Sequence, residues 1–247
     1  MSGQPTRAGW VLPTPARWRA WSGFVRRPAL PDRASWRPVA GLKAVLSLFA
    51  LDMVFMAVLL GSFGIAMQFG LEMPEHMLGE LDLTPALVAL IVVGAPIGEE
   101  IVFRGWLSGR PGHLLATPAV SFAILAILGA GAAFGAGSPT APTYLLAGAV
   151  AALFAAAALV FLRKRPAIGW FKRHFAWFFW ASALAFAAIH LSNFGAAGAD
   201  MVPLVLPQFM LALLLGYLRV THGLWSAVLL HAMHNAVFVS LVLAGAG

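Results

Sequence analysis

Residues 83–104 read LTPALVALIVVGAPIGEEIVFR. The apolar part of this stretch is typical of a membrane-spanning helix, yet two glutamates and an arginine stand at its end. An ionisable side chain at membrane depth costs about 3 kcal/mol or more, so residues of this kind need a compensating role. The stretch therefore predicts a membrane helix that carries part of a reaction centre.

The composition of the whole chain supports a membrane protein. Of its 247 residues, 61% are hydrophobic and 10% are charged, whereas soluble domains carry about 25% charged residues. Runs of Leu, Ala, Val and Phe dominate and strand-like alternation is absent, which predicts an all-α, polytopic transmembrane helical bundle. Cysteine is absent, which excludes disulfides, thiolate metal sites and cysteine nucleophiles.

Seven apolar segments each have about the 20 residues that are needed to cross a bilayer. Because this number is odd, the two ends of the bundle are expected on opposite sides of the membrane. The predicted spans lie at about 42–69, 83–103, 117–136, 143–162, 175–193, 203–219 and 223–244.

The basic residues all fall on one side of this arrangement. With the N-terminus inside, every Lys and Arg lies in segments 1–41, 104–116, 163–174 and 220–222 or at the helix ends that border them. The outer loops carry only acidic charges, namely Glu72, Glu75, Glu80, Asp82 and Asp200. This positive-inside pattern predicts the N-terminus inside and the C-terminus outside. It also explains the net charge of +7 without a nucleic-acid partner.

Residues 1–40 form a basic segment rich in Trp and Arg, which precedes a single transmembrane domain at 41–247. No short apolar core follows the first basic residues, so the segment is not a secretory signal peptide. Arg together with Trp suits a segment that lies on an anionic membrane face. A disordered cytoplasmic tail is the alternative interpretation.

A kink or break is expected in the second span, where Gly94, Pro96 and Gly98 precede the acidic pair. Broken membrane helices tend to line cavities. After the break, Glu100 and Arg104 are spaced for an i,i+4 ion pair on one helix face. Glu99 is rotated by about 100° from Glu100 and is left available for chemistry. The alternative is a charged pair that only anchors the helix at the inner interface.

Two further helices carry polar residues at helical spacing. Phe186 and His190 are one turn apart in the fifth span, so the phenyl ring is expected to pack against the imidazole. In the seventh span His231 and Asn235 share a face, and His234 lies about 60° away from His231. Taken singly, each motif also fits polar residues that hydrogen-bond neighbouring membrane helices together.

Taken together, the three motifs supply the groups for amide hydrolysis without a covalent nucleophile. A glutamate acts as general base toward water, a neutral histidine orients that water or binds a metal, and a His–Asn pair donates to an oxyanion. Two or three histidines with a glutamate equally suit a zinc site with an open position, formed by Glu99, His190 and His231. The spacing is not that of the HExxH zincins.

The ordered motifs EExxxR, FxxxH and HxxxN on separate membrane helices resemble the CAAX protease and bacteriocin-processing (CPBP) family, which includes type II CAAX prenyl endopeptidases. The resemblance covers about 83–112 and 175–240. It implies an intramembrane endopeptidase of the bacterial inner membrane, with its site in a cavity open to the cytoplasm. The implied substrates are membrane proteins or lipidated or secreted peptides.

By motif position, the resemblance implies that Glu99 activates the water and His190 assists it. His231 and Asn235 then stabilise the oxyanion. Both a zinc-dependent and a metal-independent mechanism are within the range of the family, and the motifs do not choose between them. The supporting residues implied for the site are Glu100, Arg104, Phe186 and His234.

The sequence departs from the family in its spacing, because 91 positions separate Glu99 from His190. The excess over related proteins is about one helical hairpin, which we assign to 117–162. The spans also predict a mismatch in depth, since Glu99 is placed near the inner surface and His190 about 22 Å into its helix. The site closes if the helix of His190 begins below the hydrocarbon or if the break lifts Glu99.

Two other functional classes fit parts of the pattern. One is a non-catalytic membrane scaffold or immunity protein that keeps the family fold. The other is a small transporter in which Glu99, Glu100 and Asp52 relay protons, although no inverted repeat is visible. Asp52 stands in the middle of the first span, where it is expected to pair with a polar group of the bundle.

Overall fold

A computed structural model describes residues 14–35, 37–70, 82–194 and 199–245. Within these ranges the ordered elements are helices, and no strand occurs among them. The predicted all-α class is therefore confirmed. Residues 1–13 and Trp36 of the N-terminal segment lie outside the described residues, as do the outer-loop residues Glu72, Glu75 and Glu80.

Seven helices in the described ranges are long and apolar enough to cross a membrane, which confirms the predicted number of spans. The predicted boundaries agree with the observed ones to within a few residues, and the sidedness remains a prediction from charge. The spans are Pro38–Gln68, Pro85–Ser108, Pro111–Gly135, Ala141–Phe161, Phe175–Phe194, Met201–His222 and Leu224–Leu243.

Ten α-helices occur in the described residues, joined in places by short 3₁₀ and π-helical turns. In chain order they are α1 (Thr14–Arg26), α2 (Pro38–Gln68), α3 (Pro85–Ala89), α4 (Ala95–Arg104), α5 (Pro111–Gly135), α6 (Ala141–Phe161), α7 (Gly169–Arg173), α8 (Phe175–Ile189), α9 (Leu206–His222) and α10 (Leu224–Leu243).

The second span is helical from Pro85 to Ser108 and contains an irregular turn next to the predicted kink or break. A π-helical turn at Leu90–Gly94 separates α3 from α4, and Pro96 stands in the first turn of α4. After α4 a 3₁₀ turn at Gly105–Ser108 extends the span inward. The span ends at Gly109, which has a positive φ of 63°. A larger residue would not fit at this position, because its Cβ atom would collide with the Phe171 ring.

Helix α9 lies at the centre of the bundle and packs against α2, α8 and α10. Its leucines from Leu211 to Leu218 are almost completely buried, and they meet the phenylalanines of α8 in one apolar core. In a bilayer this packing is stabilised by van der Waals contacts between helices, because lipid tails are as apolar as leucine. This core fixes the helices that carry the polar residues of the second, fifth and seventh spans.

Helices α5 and α6 form an antiparallel hairpin at the edge of the bundle. Their contact is built from small residues, and Gly148 of α6 approaches the backbone of Ala123 in α5 closely enough that a Cβ would lie 3.4 Å from its carbonyl oxygen. Such small-residue interfaces allow membrane helices to pack closely. This hairpin coincides with residues 117–162, which the resemblance to the CPBP family predicts to be an inserted hairpin.

Helix α1 packs across α2 and α9 rather than standing apart from the bundle. The indole N–H of Trp18 donates to the carbonyl of Ser47 at 2.8 Å, and that of Trp21 donates to the carbonyl of Leu213 at 3.4 Å. Beyond α1, the carboxylate of Asp32 accepts from the Lys172 ammonium, which lowers the pKa of the carboxyl group. Residues 14–26 are therefore helical, and their position at the membrane surface remains a prediction.

We expect Trp21→Ala to release α1 from the bundle. The indole is buried against Phe55 and the α9 backbone, and removing a buried tryptophan side chain costs about 3–5 kcal/mol in a core. Because α1 precedes the first span and can detach without unfolding the bundle, the loss appears as local opening. Limited trypsin digestion at Arg26 should become several-fold faster, whereas Arg19→Gln, at an exposed position of α1, should not accelerate cleavage there. Equal digestion rates for wild type and Trp21→Ala would contradict this role.

Candidate active site

The side chains of Glu99, His190 and His231 converge inside the bundle. Glu99 Oε2 lies 3.9 Å from His190 Nε2 and 3.8 Å from His231 Nε2. The Glu99 side chain is 32% exposed, but its Oε2 atom is buried and has no hydrogen-bond partner among the described residues. Three helices, α4, α8 and α10, thus bring together the acidic and basic groups that the sequence placed on separate spans.

The predicted mismatch in depth is reduced because the second span extends to Ser108 rather than ending near residue 103. Glu99 therefore lies nine residues from the inner end of that span, about 13 Å along a helix. Helix α8 begins beside this extension, since the Trp106 and Phe178 rings are 5.8 Å apart. The aromatic start of α8 accordingly lies at the level of the 3₁₀ turn, and the 3.9 Å separation between Glu99 and His190 shows that their side chains meet at one depth.

Glu100 and Arg104 form the predicted i,i+4 ion pair, with 2.8 Å between Arg104 Nη1 and Glu100 Oε1. Both side chains are fully buried. The guanidinium also lies 3.9 Å from the centroid of the Phe186 ring, a cation–π contact that favours a desolvated cation. Glu100 Oε1 is in addition 3.1 Å from His231 Nδ1. This carboxylate therefore joins the ion pair to the histidine of α10.

The Phe186 ring organises both histidines of the cluster. Its centroid lies 4.6 Å from that of His190 and 5.6 Å from that of His231, the latter in an edge-to-face arrangement. On the opposite side Phe103 of α4 packs edge-to-face on it at 5.4 Å. Because Phe186 is completely buried, these contacts restrict the rotation of both imidazoles.

Hydrogen bonds determine which nitrogen of each imidazole faces Glu99. His190 Nδ1 lies 2.7 Å from the Phe186 carbonyl, which accepts only, so this nitrogen carries the proton. His231 Nδ1 faces the carboxylate of Glu100 and is a donor for the same reason. In both residues Nε2 is therefore the atom that is directed toward Glu99. A neutral imidazole in this tautomer presents a lone pair there, and a protonated one presents an N–H.

The C-terminal end of α4 is held by residues that sequence reasoning did not assign to the site. Arg219 of α9 donates from Nε to the Arg104 carbonyl at 2.8 Å and from Nη2 to the Gly105 carbonyl at 2.7 Å. Ser182 of α8 donates to the Phe103 carbonyl at 2.7 Å. These carbonyls lack partners at a helix end. The charge distribution accounts for Arg219 only as one of the basic residues at the helix ends, although an arginine that terminates an apolar run also signals a buried donor.

His234 and Asn235, the remaining polar residues of α10, do not hydrogen-bond within the Glu99 cluster. His234 Nδ1 pairs with Asp52 Oδ2 of α2 at 2.7 Å. Asn235 Nδ2 donates to the backbone carbonyl of Ile91, in the π-helical turn of the second span, at 2.9 Å. Asp52 thus has the polar partner that its position in the first span predicts.

We expect Asp52→Leu to destabilise the protein by about 1–3 kcal/mol, because it leaves a buried His234 nitrogen without its partner. Thermal unfolding in detergent should show a lower midpoint. The matched control is Val54→Ala, at an exposed position of the same helix, which should change stability by no more than about 0.5 kcal/mol. Equal midpoints for wild type and Asp52→Leu would show that the pair does not stabilise the bundle.

The predicted zinc ligands are Glu99, His190 and His231. Although their side chains converge, the described residues contain no group of three or more His, Cys, Asp or Glu side chains that could hold a metal ion. The geometry thus gives no support to a metalloprotease.

A cavity of about 570 Å³ lies between α4 and α5, away from the Glu99 cluster. It is apolar apart from two hydroxyl groups and is bounded by the first helix of the hairpin. Its lining consists of Val102, Trp106, Leu114, Thr117, Pro118, Ser121, Phe122 and Leu125.

The fold and the site together define a multi-pass helical membrane protein with an acid–base cluster in its interior. A family model described as Type II CAAX prenyl endopeptidase Rce1-like matches residues 82–169 and 159–237. These ranges together cover residues 82–237, more than half of the 247-residue chain. The protein therefore belongs to the Rce1-like family of type II CAAX prenyl endopeptidases, which confirms the resemblance based on the three motifs. No curated protein and no solved structure matches the chain.

Proposed function

We propose that the protein is an intramembrane endopeptidase that hydrolyses a peptide bond with a water activated by Glu99. The observation that carries this proposal is the position of Glu99 Oε2, which lies within 4 Å of Nε2 of both His190 and His231. Those separations are too long for direct hydrogen bonds. A water oxygen at about 2.8 Å from Glu99 Oε2 and about 2.8 Å from one of the histidine Nε2 atoms would bridge them.

In the proposed first step, Glu99 removes a proton from the water while its oxygen attacks the carbonyl carbon. His190 orients the same water, because its Nδ1–H is held by the Phe186 carbonyl and its Nε2 lone pair accepts the second hydrogen. The attack converts the peptide bond to a tetrahedral intermediate with a negative oxygen.

His231 stabilises this oxyanion as an imidazolium that donates from Nε2. Glu100 supports the protonated form through Nδ1 at 3.1 Å, as a buried carboxylate does for the histidine of a catalytic triad. With His231 protonated, two carboxylates face one guanidinium and one imidazolium, so the cluster is neutral. The transfer of the water proton to Glu99 preserves this neutrality, because the negative charge moves from the carboxylate to the oxyanion.

In the second step the intermediate collapses, and the bond between the carbonyl carbon and the amide nitrogen breaks. The Glu99 carboxyl group returns its proton to the leaving nitrogen. The products are a carboxylic acid and an amine, and Glu99 regains its starting state. Asn235 is proposed as a second donor to the oxyanion from the same face of α10 as His231.

The family description points to substrates with a prenylated C-terminus, and we propose that the site receives such a membrane-anchored segment from the cytoplasmic side. The basic inner segments favour that orientation by the positive-inside rule. The half-exposed Glu99 side chain is the part of the cluster that a substrate reaches first.

The proposal is tested with purified protein in liposomes and a peptide that ends in farnesyl-cysteine followed by three residues. Release of the tripeptide is measured by mass spectrometry. In parallel, peptide C-termini are compared in membranes from cells that express the wild type or Glu99→Gln. Cleavage of the probe, or new termini that depend on Glu99, supports the proposal. No cleavage and no Glu99-dependent terminus would refute it.

A further inference from the structure

The π-helical turn at Leu90–Gly94 shifts the backbone hydrogen-bond register immediately before the catalytic helix. In this register the N–H of Ala95 donates to the carbonyl of Leu90. The next donor in the same register is residue 96, which is proline and has no N–H. The Ile91 carbonyl therefore loses both of its helical donors, since Ala95 is engaged elsewhere and Pro96 cannot donate.

The side chain of Asn235 supplies the missing donor from α10. Its Nδ2 lies 2.9 Å from the Ile91 carbonyl oxygen. A carbonyl accepts only, so this bond fixes which end of the carboxamide is the nitrogen and holds the amide plane. One of the two N–H groups on Nδ2 is used, and the second stays available on a side chain whose orientation is now set.

We propose that Pro96 is a positioning residue that leaves the Ile91 carbonyl free to accept a hydrogen bond from Asn235. This bond fixes the orientation of the Asn235 carboxamide, and we call it the lock. The lock has two consequences for the site. It couples the helix of Glu99 to the helix of His231, and it aims the second N–H of Asn235. This inference rests on the proposed function, because it gives the locked amide its task as an oxyanion donor.

The effect expected from Pro96→Ala depends on whether Pro96 has a purely structural role or acts through the lock. If Pro96 only bends the span, Pro96→Ala straightens a membrane helix and leaves the site intact. If Pro96 acts through the lock, alanine restores an N–H at position 96, which competes with Asn235 for the Ile91 carbonyl. The protein then becomes no less stable and yet catalytically impaired, because oriented donors act only in the correct geometry.

The first measurement does not depend on activity. Unfolding midpoints are measured in detergent for wild type, Pro96→Ala, Asn235→Ala and the double variant. With Pro96 present, Asn235→Ala leaves a carbonyl unpaired and lowers the midpoint by about 2–8 °C. In the Pro96→Ala background, the new N–H takes that role and the same substitution has little effect. An equal loss in both backgrounds would overturn the lock.

The second measurement uses the farnesyl-cysteine peptide. Pro96→Ala is expected to lower kcat by about 10–100-fold while KM changes less than about twofold. The matched control is Pro118→Ala, which removes the interior proline of α5 and should leave kcat unchanged. An undiminished kcat in Pro96→Ala would overturn the positioning role. If the wild type itself does not cleave the peptide, the proposed function fails, and the midpoints still decide whether the lock exists.

Discussion

Glu99→Gln is expected to lower the turnover of a cleaved substrate by about 10²–10⁴-fold, the contribution that general acid–base catalysis makes. Glutamine keeps the size and polarity of the side chain but cannot take a proton from water. Its effect on stability should be small, because Glu99 is half-exposed and makes no hydrogen bond through its buried oxygen in the described structure. Single-turnover cleavage and thermal unfolding, measured on the same preparation, separate these two effects.

The neighbouring glutamate provides a matched comparison for this prediction. Glu100→Gln has the same chemistry one position along α4, but its carboxylate contacts Arg104 and His231. We expect this variant to lose stability as well as activity, whereas Glu99→Gln loses activity alone. Turnover by Glu99→Gln within tenfold of the wild type would remove Glu99 from the role of base.

The second large effect is expected from Glu100→Ala, which should destabilise the protein by about 3–5 kcal/mol. Breaking a buried ion pair by removing one partner leaves an uncompensated charge. Here the substitution removes the partner of both the Arg104 guanidinium and the His231 Nδ1 atom. The unfolding midpoint, or the fraction folded at a fixed concentration of denaturing detergent, should fall sharply.

A double substitution distinguishes loss of charge compensation from loss of packing. Glu100→Leu with Arg104→Met removes both charges and keeps apolar volume in the core. Replacing a whole buried pair is often close to neutral for stability, so the double variant should recover much of the stability that Glu100→Ala loses. If the double variant is no more stable than Glu100→Ala, the buried charges are not the reason for the loss.

Short-range features of this site were predictable from helical spacing. The Glu100–Arg104 pair and the packing of Phe186 on His190 each join residues four positions apart, where a helix makes side chains neighbours. An irregularity before Glu99 was predictable because proline removes a backbone donor, but its form, a π-helical turn within a continuous helix, was not. The sidedness of the spans rests on the distribution of Lys and Arg alone.

Contacts between helices were not predictable in the same way. His231 meets Glu100 across 131 positions, and His234 meets Asp52 across 182. Periodicity tells which residues share a helix face, but not which neighbouring helix that face meets. The depth of Glu99 was misjudged because the apolar run ends before the 3₁₀ turn that continues the span to Ser108.

The docking of α1 also has a consequence for the order of events during synthesis. Trp21 is translated early, yet the carbonyl that its indole contacts belongs to Leu213, 192 positions later. At about 5–20 residues per second, the ribosome needs about 10–40 s to produce that partner. Helix α1 can pack on α2 as soon as that helix exists, through Trp18 and Ser47, whereas the bond from Trp21 to Leu213 forms only after the sixth span has been made.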